Sequence, residues 1–265
     1  MHIHFLDTYC PGESPLHGLE PRVKFISTLA LIVALTATPP TAWPVYLMLA
    51  AVIGTALLLS GVSPSRLLRR SLIALPFTLV AATLIFTKEG RPLLSLPILT
   101  WRLNATYQGL ILFLSIVVKS WLSVLAAVIL SATTPFPDLL RAMRALGLPQ
   151  VIVSTMAFMY RYLFLLADEA LRLARARDSR SAALQGKGGG SLAWRTKVVG
   201  GMAGSLFLRS YERSERIYAA MLSRGFRGEI RSLSPSTLGP GEIMLTAFLL
   251  AFLSIIEALA HLYWR

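Results

Sequence analysis

Two tripeptides near the ends of long polar segments each hold one arginine between small residues: Ser179-Arg180-Ser181 and Ser223-Arg224-Gly225. Small neighbours leave a guanidinium unshielded, and its planar fork of donors can hold a carboxylate through two parallel hydrogen bonds. The helix dipole and helix termination also favour arginine followed by glycine at a helix end. Because the pattern occurs on two consecutive predicted helices, we interpret Arg180 and Arg224 as paired docking points for an acidic partner.

Other reactive side chains are few. His2, His4 and Cys10 are of the types that bind late first-row metals, but three ligands in a terminal tail do not make a closed site, so we predict no metal site there. Lys119 and Glu257 lie within apolar segments, where a charge is costly and is usually paired. Glu257 is a candidate partner for Lys119, and we favour a structural ion pair between them over a transport relay.

Catalytic motifs are absent from the sequence. It contains no H-E-x-x-H and no G-x-S-x-G, and the run Gln185-Gly186-Lys187-Gly188 lacks the Ser or Thr and the spacing of a phosphate loop. We predict a protein that is not an enzyme and binds no cofactor directly. A membrane enzyme or a stand-alone carrier remains as an alternative, and either of those should work without a partner.

The composition is that of a membrane protein. The 265 residues are 55% hydrophobic and 15% charged, with a mean hydropathy of +0.62, whereas soluble domains carry about 25% charged residues. The net charge of +13 indicates anionic lipid headgroups or an acidic protein as partners, and we predict no nucleic-acid partner.

Five apolar segments approach the roughly 20 residues that a helix needs to cross a bilayer. They are Val23 to Thr38, Trp43 to Ser60, Ser71 to Thr87 with a kink at Pro76, Tyr107 to about Ala132, and Glu242 to Trp264. The predicted fold class is therefore an all-α integral membrane protein with about five transmembrane helices. The predicted division is 1–132 for the tail and four helices, 133–240 for a cytosolic region, and 241–265 for the last helix.

Charge bias sets the predicted orientation, because lysine and arginine concentrate on the cytosolic side. Thirteen of the 26 basic residues lie between Arg172 and Arg231. We therefore predict a multi-pass protein of the cytoplasmic (inner) membrane, with the N-terminus and 133–240 in the cytosol and the C-terminus outside.

The region 133–240 reads as three helices. The first, Pro135 to Gly147, is amphipathic, and its predicted apolar face holds Leu139, Leu140, Met143 and Leu146. The second runs from Gln150 to about Ser181; its apolar half resembles a further span, but Arg161 interrupts it and we predict that it packs against the membrane. After a flexible break at Gln185–Ser191, the third runs from Leu192 to Arg224. Small residues near Gly200 predict close approach of the two long helices.

These features together resemble the transmembrane T component of energy-coupling factor (ECF) transporters, in the cobalt/nickel, CbiQ-like branch. That family has a membrane bundle and long cytosolic coupling helices that end in two Ala-Arg-Gly-like motifs. This chain has serine at the first position of both motifs and Ser181 in place of the first glycine. The resemblance extends to Ser14–Lys24, Pro135–Leu146 and the Arg161-Tyr162-Leu163 region with Asp168-Glu169.

The resemblance implies a non-catalytic subunit with an L-shaped arrangement of helices. Two cytosolic ABC-type ATPases would bind ATP and Mg, and a membrane S component would capture cobalt or nickel; a vitamin substrate with another S component stays open. Arg180 and Arg224 would each enter an acidic groove of one ATPase, flanked by Ser179, Ser181, Ser223 and Gly225 and supported by Arg177 and Arg227. The apolar face of the amphipathic helix would contact the S component or the neighbouring coupling helices.

Overall fold

The computed structural model describes residues 9–83, 85, 92–98, 101–180, 191–228 and 239–264. In chain order the helices are α1 (Pro15–Gly18), α2 (Pro21–Ala37), α3 (Trp43–Leu59), α4 (Pro64–Ser71), α5 (Leu75–Thr78), α6 (Tyr107–Thr133), α7 (Phe136–Ala145), α8 (Gln150–Arg180), α9 (Leu192–Ser223) and α10 (Pro240–Tyr263). Two short 3₁₀ segments, Leu72–Ala74 and Leu79–Thr83, flank α5, and two strands, β1 (Pro92–Ile98) and β2 (Trp101–Thr106), precede α6. The predicted helical membrane architecture is confirmed.

The described residues divide into two compact units. The bundle unit takes the described residues of His4–Leu146 and Ser236–Arg265, and the two-helix unit takes those of Gly147–Pro235. The predicted cytosolic region 133–240 therefore supplies α7 to the bundle unit and α8 and α9 to the two-helix unit.

Proline marks the start of most bundle helices. It occupies the first turn of α2, α3, α4, α7 and α10, where its missing N–H costs no intrahelical hydrogen bond. Four of the five predicted spans are confirmed as helices whose ends lie within two residues of the predicted ones.

Helix directions in the bundle unit follow from contacts at both ends of α2. Near its start, Glu20 N–H donates to Glu242 of α10, and near its end Thr38 donates to Glu257 of the same helix. Helices α2 and α10 are therefore parallel. Helix α6 runs the opposite way, because Lys24 contacts the end of α6 and Lys119 contacts the end of α2. These directions agree with α2 and α10 as odd-numbered spans and α6 as an even-numbered one.

The core of the bundle unit lies where α2, α3, α6 and α10 meet. Leu35 and Leu49 are completely buried, and each of the four helices contributes further apolar side chains: Leu31, Ala34, Ile53, Leu122, Leu125, Ile129, Leu253 and Ile256. Trp121 of α6 donates its indole N–H to Ser71 at the end of α4, with 2.9 Å between the nitrogen and the oxygen. The core therefore joins segments that are far apart in sequence.

The predicted third span, Ser71 to Thr87, is not one regular helix. Its described part is a short α-helix between two 3₁₀ segments, and residues 84, 86 and 87 lie outside the described residues. Pro76 has no N–H to donate to the preceding turn, and tighter 3₁₀ turns commonly occur beside such an interruption. Residues 71–83 are nevertheless helical throughout, so the predicted span is helical in its described part but is not one regular α-helix.

The antiparallel pair β1–β2 was not predicted. Ser95 pairs with Asn104 and Leu96 with Leu103 in its register. Prolines at positions 92 and 97 argue against a central strand, but each strand of a two-stranded pair is an edge strand, where proline is tolerated.

The two-helix unit consists of α8 and α9, which run antiparallel. Glu169 of α8 pairs with Arg209 of α9, and Phe158, nearer the start of α8, contacts Phe226, just past the end of α9, with ring centroids 6.1 Å apart. Among its described residues only Val153 and Ser154 are buried. The predicted second and third helices of this region are confirmed.

Within the described residues, three helices have the length and apolar composition needed to cross a membrane: α6, α8 and α10; α3 is apolar but shorter. Length and composition thus select α8 as well, although Arg161 lies within it. That α8 packs against the membrane without crossing it stays a prediction.

Candidate functional site

Both candidate docking arginines lie at a helix C-terminus and are exposed. Arg180 is the last residue of α8, and Arg224 caps α9. Neither guanidinium has a hydrogen bond or ion pair with any residue that the structure describes, and both residues are solvent-exposed. Each is therefore available to a carboxylate from another molecule.

The turn that presents Arg224 is tightly defined. Gly225 N–H donates to the Leu222 carbonyl at 2.9 Å, and Phe226 N–H donates to the Met221 carbonyl at 3.0 Å. This is the hydrogen-bond pattern of a Schellman motif, which requires a left-handed residue after the cap. Gly225 supplies it with a φ of +81°, so the predicted role of this glycine as the helix stop is confirmed.

A serine precedes each arginine and bonds back to its own helix. The Ser179 hydroxyl donates to the Ala176 carbonyl at 3.0 Å, and the Ser223 hydroxyl donates to the Ala220 carbonyl at 2.9 Å. Both serines therefore satisfy their hydroxyls without a partner molecule and leave the neighbouring arginine uncovered.

The two arginines lie at opposite ends of the α8–α9 pair. Arg180 lies beyond the Glu169–Arg209 ion pair along α8, and Arg224 lies beyond it in the opposite direction along α9. At 1.5 Å of rise per helical residue, counting from this ion pair gives a separation of roughly 39 Å, and counting from the Phe158–Phe226 contact gives roughly 30 Å. The two Cα atoms are therefore roughly 35 Å apart. A single small acidic groove cannot hold both.

The predicted supporting residues differ from one another. Arg177 is paired within the chain, since its Nη2 lies 2.6 Å from Oδ1 of Asp178. This pair is exposed on both sides, and the supporting role of Arg177 in ATPase docking stays a prediction. Arg227 is exposed, close after the Schellman turn. Ser181 and the Gln185–Gly190 part of the predicted break lie outside the described residues.

The predicted apolar face of α7 is only partly available. Leu140 is 3% exposed because α7 packs against α2, whereas Leu139 and Met143 are half-buried. Leu146 is 45% exposed, because α7 ends at Ala145 and Leu146 is its C-cap. Leu140 is therefore covered by α2, and contact of the other three residues with the S component or the coupling helices stays a prediction.

The small-residue run in α9 does not mediate close packing. A Cβ placed on Gly200, Gly201 or Gly204 would meet no atom within 4 Å. The prediction that these glycines let α8 and α9 approach closely is wrong; the two helices are joined instead by Glu169–Arg209 and Phe158–Phe226.

A polar cluster closes the end of the bundle unit where α2 and α10 begin. Lys24 donates to the carbonyls of Thr133 at 3.2 Å and His17 at 3.4 Å. Glu242 accepts the N–H of Glu20 at 2.9 Å through one oxygen and that of Gly239 at 3.2 Å through the other. These side chains satisfy backbone groups that the helix ends leave unpaired.

A second cluster lies at the opposite end of α2. Lys119 donates to the Thr38 carbonyl at 2.6 Å and to the Thr36 carbonyl at 3.2 Å. The Thr38 hydroxyl donates to Glu257 at 2.6 Å, and Tyr46 donates to the Pro39 carbonyl at 2.9 Å. The predicted direct ion pair between Lys119 and Glu257 is wrong, because Thr38 stands between the two charges.

Lys24 and Glu242 were not singled out by the sequence analysis. Both carry a charge at the edge of a predicted span, and that pattern alone could have marked them, as it did Lys119 and Glu257. The structure also gives Cys10 a backbone role, since its N–H donates to the Ala132 carbonyl at 3.0 Å. His2 and His4 lie outside the described residues, and no cluster of three metal-ligating side chains occurs among the residues that were described.

Comparisons with known proteins agree on one family. The CbiQ family model, described as cobalt transport protein, matches residues 12–236. An uncharacterized protein of Methanocaldococcus jannaschii is 29% identical over 98% of this chain and 87% of its own length. The transmembrane protein EcfT of the energy-coupling factor transporter of Lactococcus lactis is 27% identical over 83% of each chain.

A third relative covers a shorter region. The nickel permease LarQ of Lactiplantibacillus plantarum is 31% identical over 50% of this chain and 44% of its own length. The family match takes in both candidate arginines and most of the bundle unit. The chain therefore belongs to the CbiQ family of cobalt transport proteins, and it is a multi-pass membrane protein of the energy-coupling factor T-component type.

Proposed function

We propose that this chain is the energy-coupling transmembrane subunit of an importer for cobalt or nickel ions in the cytoplasmic membrane. It is non-catalytic: cytosolic ABC-type ATPases hydrolyse ATP with Mg, and a separate membrane S component binds the ion. The two-helix unit faces the cytosol, and the chain transmits ATPase motion to the S component. The C-terminus lies outside.

The placement of Arg180 and Arg224 carries this proposal. Both are exposed and unpaired among the described residues, and their separation of roughly 35 Å suits two distinct acidic grooves. A guanidinium that enters such a groove can form a bidentate, charge-assisted pair with a carboxylate. Two anchors at opposite ends of one rigid helix pair would convert a change in the distance between ATPase subunits into a movement of the helices.

Cobalt is supported by the description of the family, and nickel by the name of the LarQ relative. A vitamin-type substrate with another S component is the alternative, since the name of the EcfT relative specifies no metal. Since a T component would not bind the substrate itself, its substrate is decided by the S component with which it assembles.

Co-purification tests the proposal. The tagged chain is extracted in mild detergent from its host, and bound proteins are identified by mass spectrometry for the unmodified chain and for Arg180→Glu with Arg224→Glu. The matched control is Arg172→Glu with Arg216→Glu, which reverses one exposed arginine in the interior of each helix. We expect ATPase subunits and an S component with the unmodified chain and the control, and loss of the ATPases alone with the docking variant.

Purification of the unmodified chain without ATPases would contradict the coupling function. ATPases that remain on the docking variant would contradict only the assignment of the arginines.

The ion is tested separately in proteoliposomes. The purified complex should accumulate radiolabelled cobalt or nickel only with internal ATP, while the chain alone should accumulate neither. Uptake by the chain alone would support the stand-alone carrier instead.

A further inference from the structure

Two cavities of the bundle unit meet at the side chain of Lys24. The first, about 340 Å³, is lined almost wholly by apolar side chains of α2, α3, α6 and α10, such as Leu31, Ile53 and Leu249. The second, about 380 Å³, is polar and lies where α2 begins and α6 ends. Lys24 lines both, so a molecule with an apolar chain and a polar head could occupy the two cavities together.

Among the described residues the ammonium group of Lys24 forms no direct ion pair, and Asp138 is the carboxylate whose charge acts on it from a longer distance. The residue is 8% exposed, and its nitrogen donates to two backbone carbonyls. No carboxylate of the described residues lies within ion-pair distance of it, and an ammonium has three donors. Carbonyls at the end of α6 offer only a partial negative charge. A buried charge compensated in this way favours an anionic group in the adjoining cavity.

The polar cavity is nevertheless not uniformly basic. Glu20, Asp138 and Glu242 line it together with Lys24 and His17. Glu20 and Asp138 are also ion-paired with Arg22 and Arg141, so a lipid amine would share these carboxylates with the arginines. A purely anionic head would meet these three carboxylates, whereas a head that carries both a phosphate and a primary ammonium is complementary to both signs of charge. The ammonium can donate hydrogen bonds to carboxylates, which a quaternary ammonium cannot.

We propose that this end of the bundle unit binds a zwitterionic phospholipid with a primary amine. The phosphate contacts Lys24, the amine lies among the carboxylates of the polar cavity, and one acyl or isoprenoid chain fills the apolar cavity. The position agrees with this occupant, because the cavities lie where three helices begin or end, at the level expected of headgroups, while the apolar cavity continues along the helices into the bilayer.

Lipid binding is measured on the delipidated full-length chain by native mass spectrometry. Phosphatidylethanolamine, phosphatidylcholine and phosphatidylglycerol with the same acyl chains are titrated separately. We expect phosphatidylethanolamine to bind about tenfold more tightly than either of the others, a difference of about 1.4 kcal/mol. Equal binding of the three lipids, or preference for phosphatidylglycerol, would overturn the proposal.

Variants locate the site. Lys24→Met removes the charge, and Ala56→Phe fills the apolar cavity without touching any charge or hydrogen bond; both should lose the preference. Two control variants should keep the preference for phosphatidylethanolamine. Ala51→Phe places the same ring on an exposed position of α3, and Lys119→Met removes a lysine that lines neither cavity. If Lys24→Met does not fold, the comparison of Ala56→Phe with Ala51→Phe tests the lipid site by itself. Retention of the preference in a folded Ala56→Phe protein would refute the assignment of the apolar cavity.

Discussion

Lys24 and Lys119 each donate to the carbonyls that end the helix carrying the other. Lys24, on α2, reaches Thr133 at the end of α6, and Lys119, on α6, reaches Thr36 and Thr38 at the end of α2. A helix leaves its last carbonyls unpaired, and its C-terminus carries a partial negative charge that a cation stabilises. In an antiparallel pair, each helix can therefore cap its neighbour, and this arrangement places two costly lysines at opposite ends of α2.

Lys119→Met should destabilise the chain. It removes the lysine donor from the carbonyl of Thr38, which is buried, whereas Thr36 is exposed. Loss of a donor to a buried polar group costs about 1–3 kcal/mol, and we expect the lower end because the Tyr46 hydroxyl lies 3.5 Å from the same carbonyl. The measurement is the thermal unfolding midpoint of the detergent-solubilised protein. Lys197→Met, at an exposed position of α9, is the control and should stay within about 0.5 kcal/mol. Equal midpoints for the two variants would show that the cap contributes nothing.

Gly225→Ala and Gly201→Ala should have effects of opposite sign. Both glycines have open space around a new Cβ, but only Gly225 has a positive φ. Alanine in the left-handed region costs about 1–2 kcal/mol, whereas alanine within a helix gains up to about 1 kcal/mol over glycine. Hydrogen exchange of the α9 amides reports both effects. Equal protection of the amides in the two variants would contradict a left-handed turn at Gly225.

Arg180→Ala and Arg224→Ala should each weaken ATPase binding by more than tenfold. Truncating one partner of a buried charge pair costs roughly 2–5 kcal/mol, whereas Arg172→Ala and Arg216→Ala should cost less than about 1 kcal/mol. Because the two docking sites are roughly 35 Å apart, their losses should add in free energy. The dissociation constant of purified ATPases for the chain in nanodiscs is measured for all four variants. Unchanged affinity for both docking variants would rule out these anchors.

The Glu169–Arg209 pair should matter little to stability, although it joins α8 to α9. The Arg209 side chain is 60% exposed, and exposed ion pairs contribute about 0–1 kcal/mol. Glu169→Gln should therefore change the thermal midpoint less than Phe158→Ala, which removes the ring contact with Phe226. A larger effect of Glu169→Gln would show that the ion pair, and not the aromatic contact, holds the two helices together.

Local patterns predicted the elements well. Long runs with proline, glycine or serine near an end give four of the predicted spans and both long helices, because helix formation and termination depend on neighbouring residues. Pro76 shows the limit of such patterns. Proline kinks one membrane helix and replaces regular α-helix by 3₁₀ turns in another, and the segments packed around it decide which. The arginine motifs could be found because two similar tripeptides end two consecutive helices.

The sequence by itself determined the membrane class, the ends of the long helices and the position of both arginines at those ends. Only the tertiary structure decided what the buried charges contact. Lys119 and Glu257 are 138 positions apart, and Thr38 lies between them because α2, α6 and α10 pack together. Lys24, Thr133 and Glu242 converge for the same reason. Hydrogen-bond partners are chosen by distances of about 3 Å, and no local pattern fixes distances between residues so far apart along the chain.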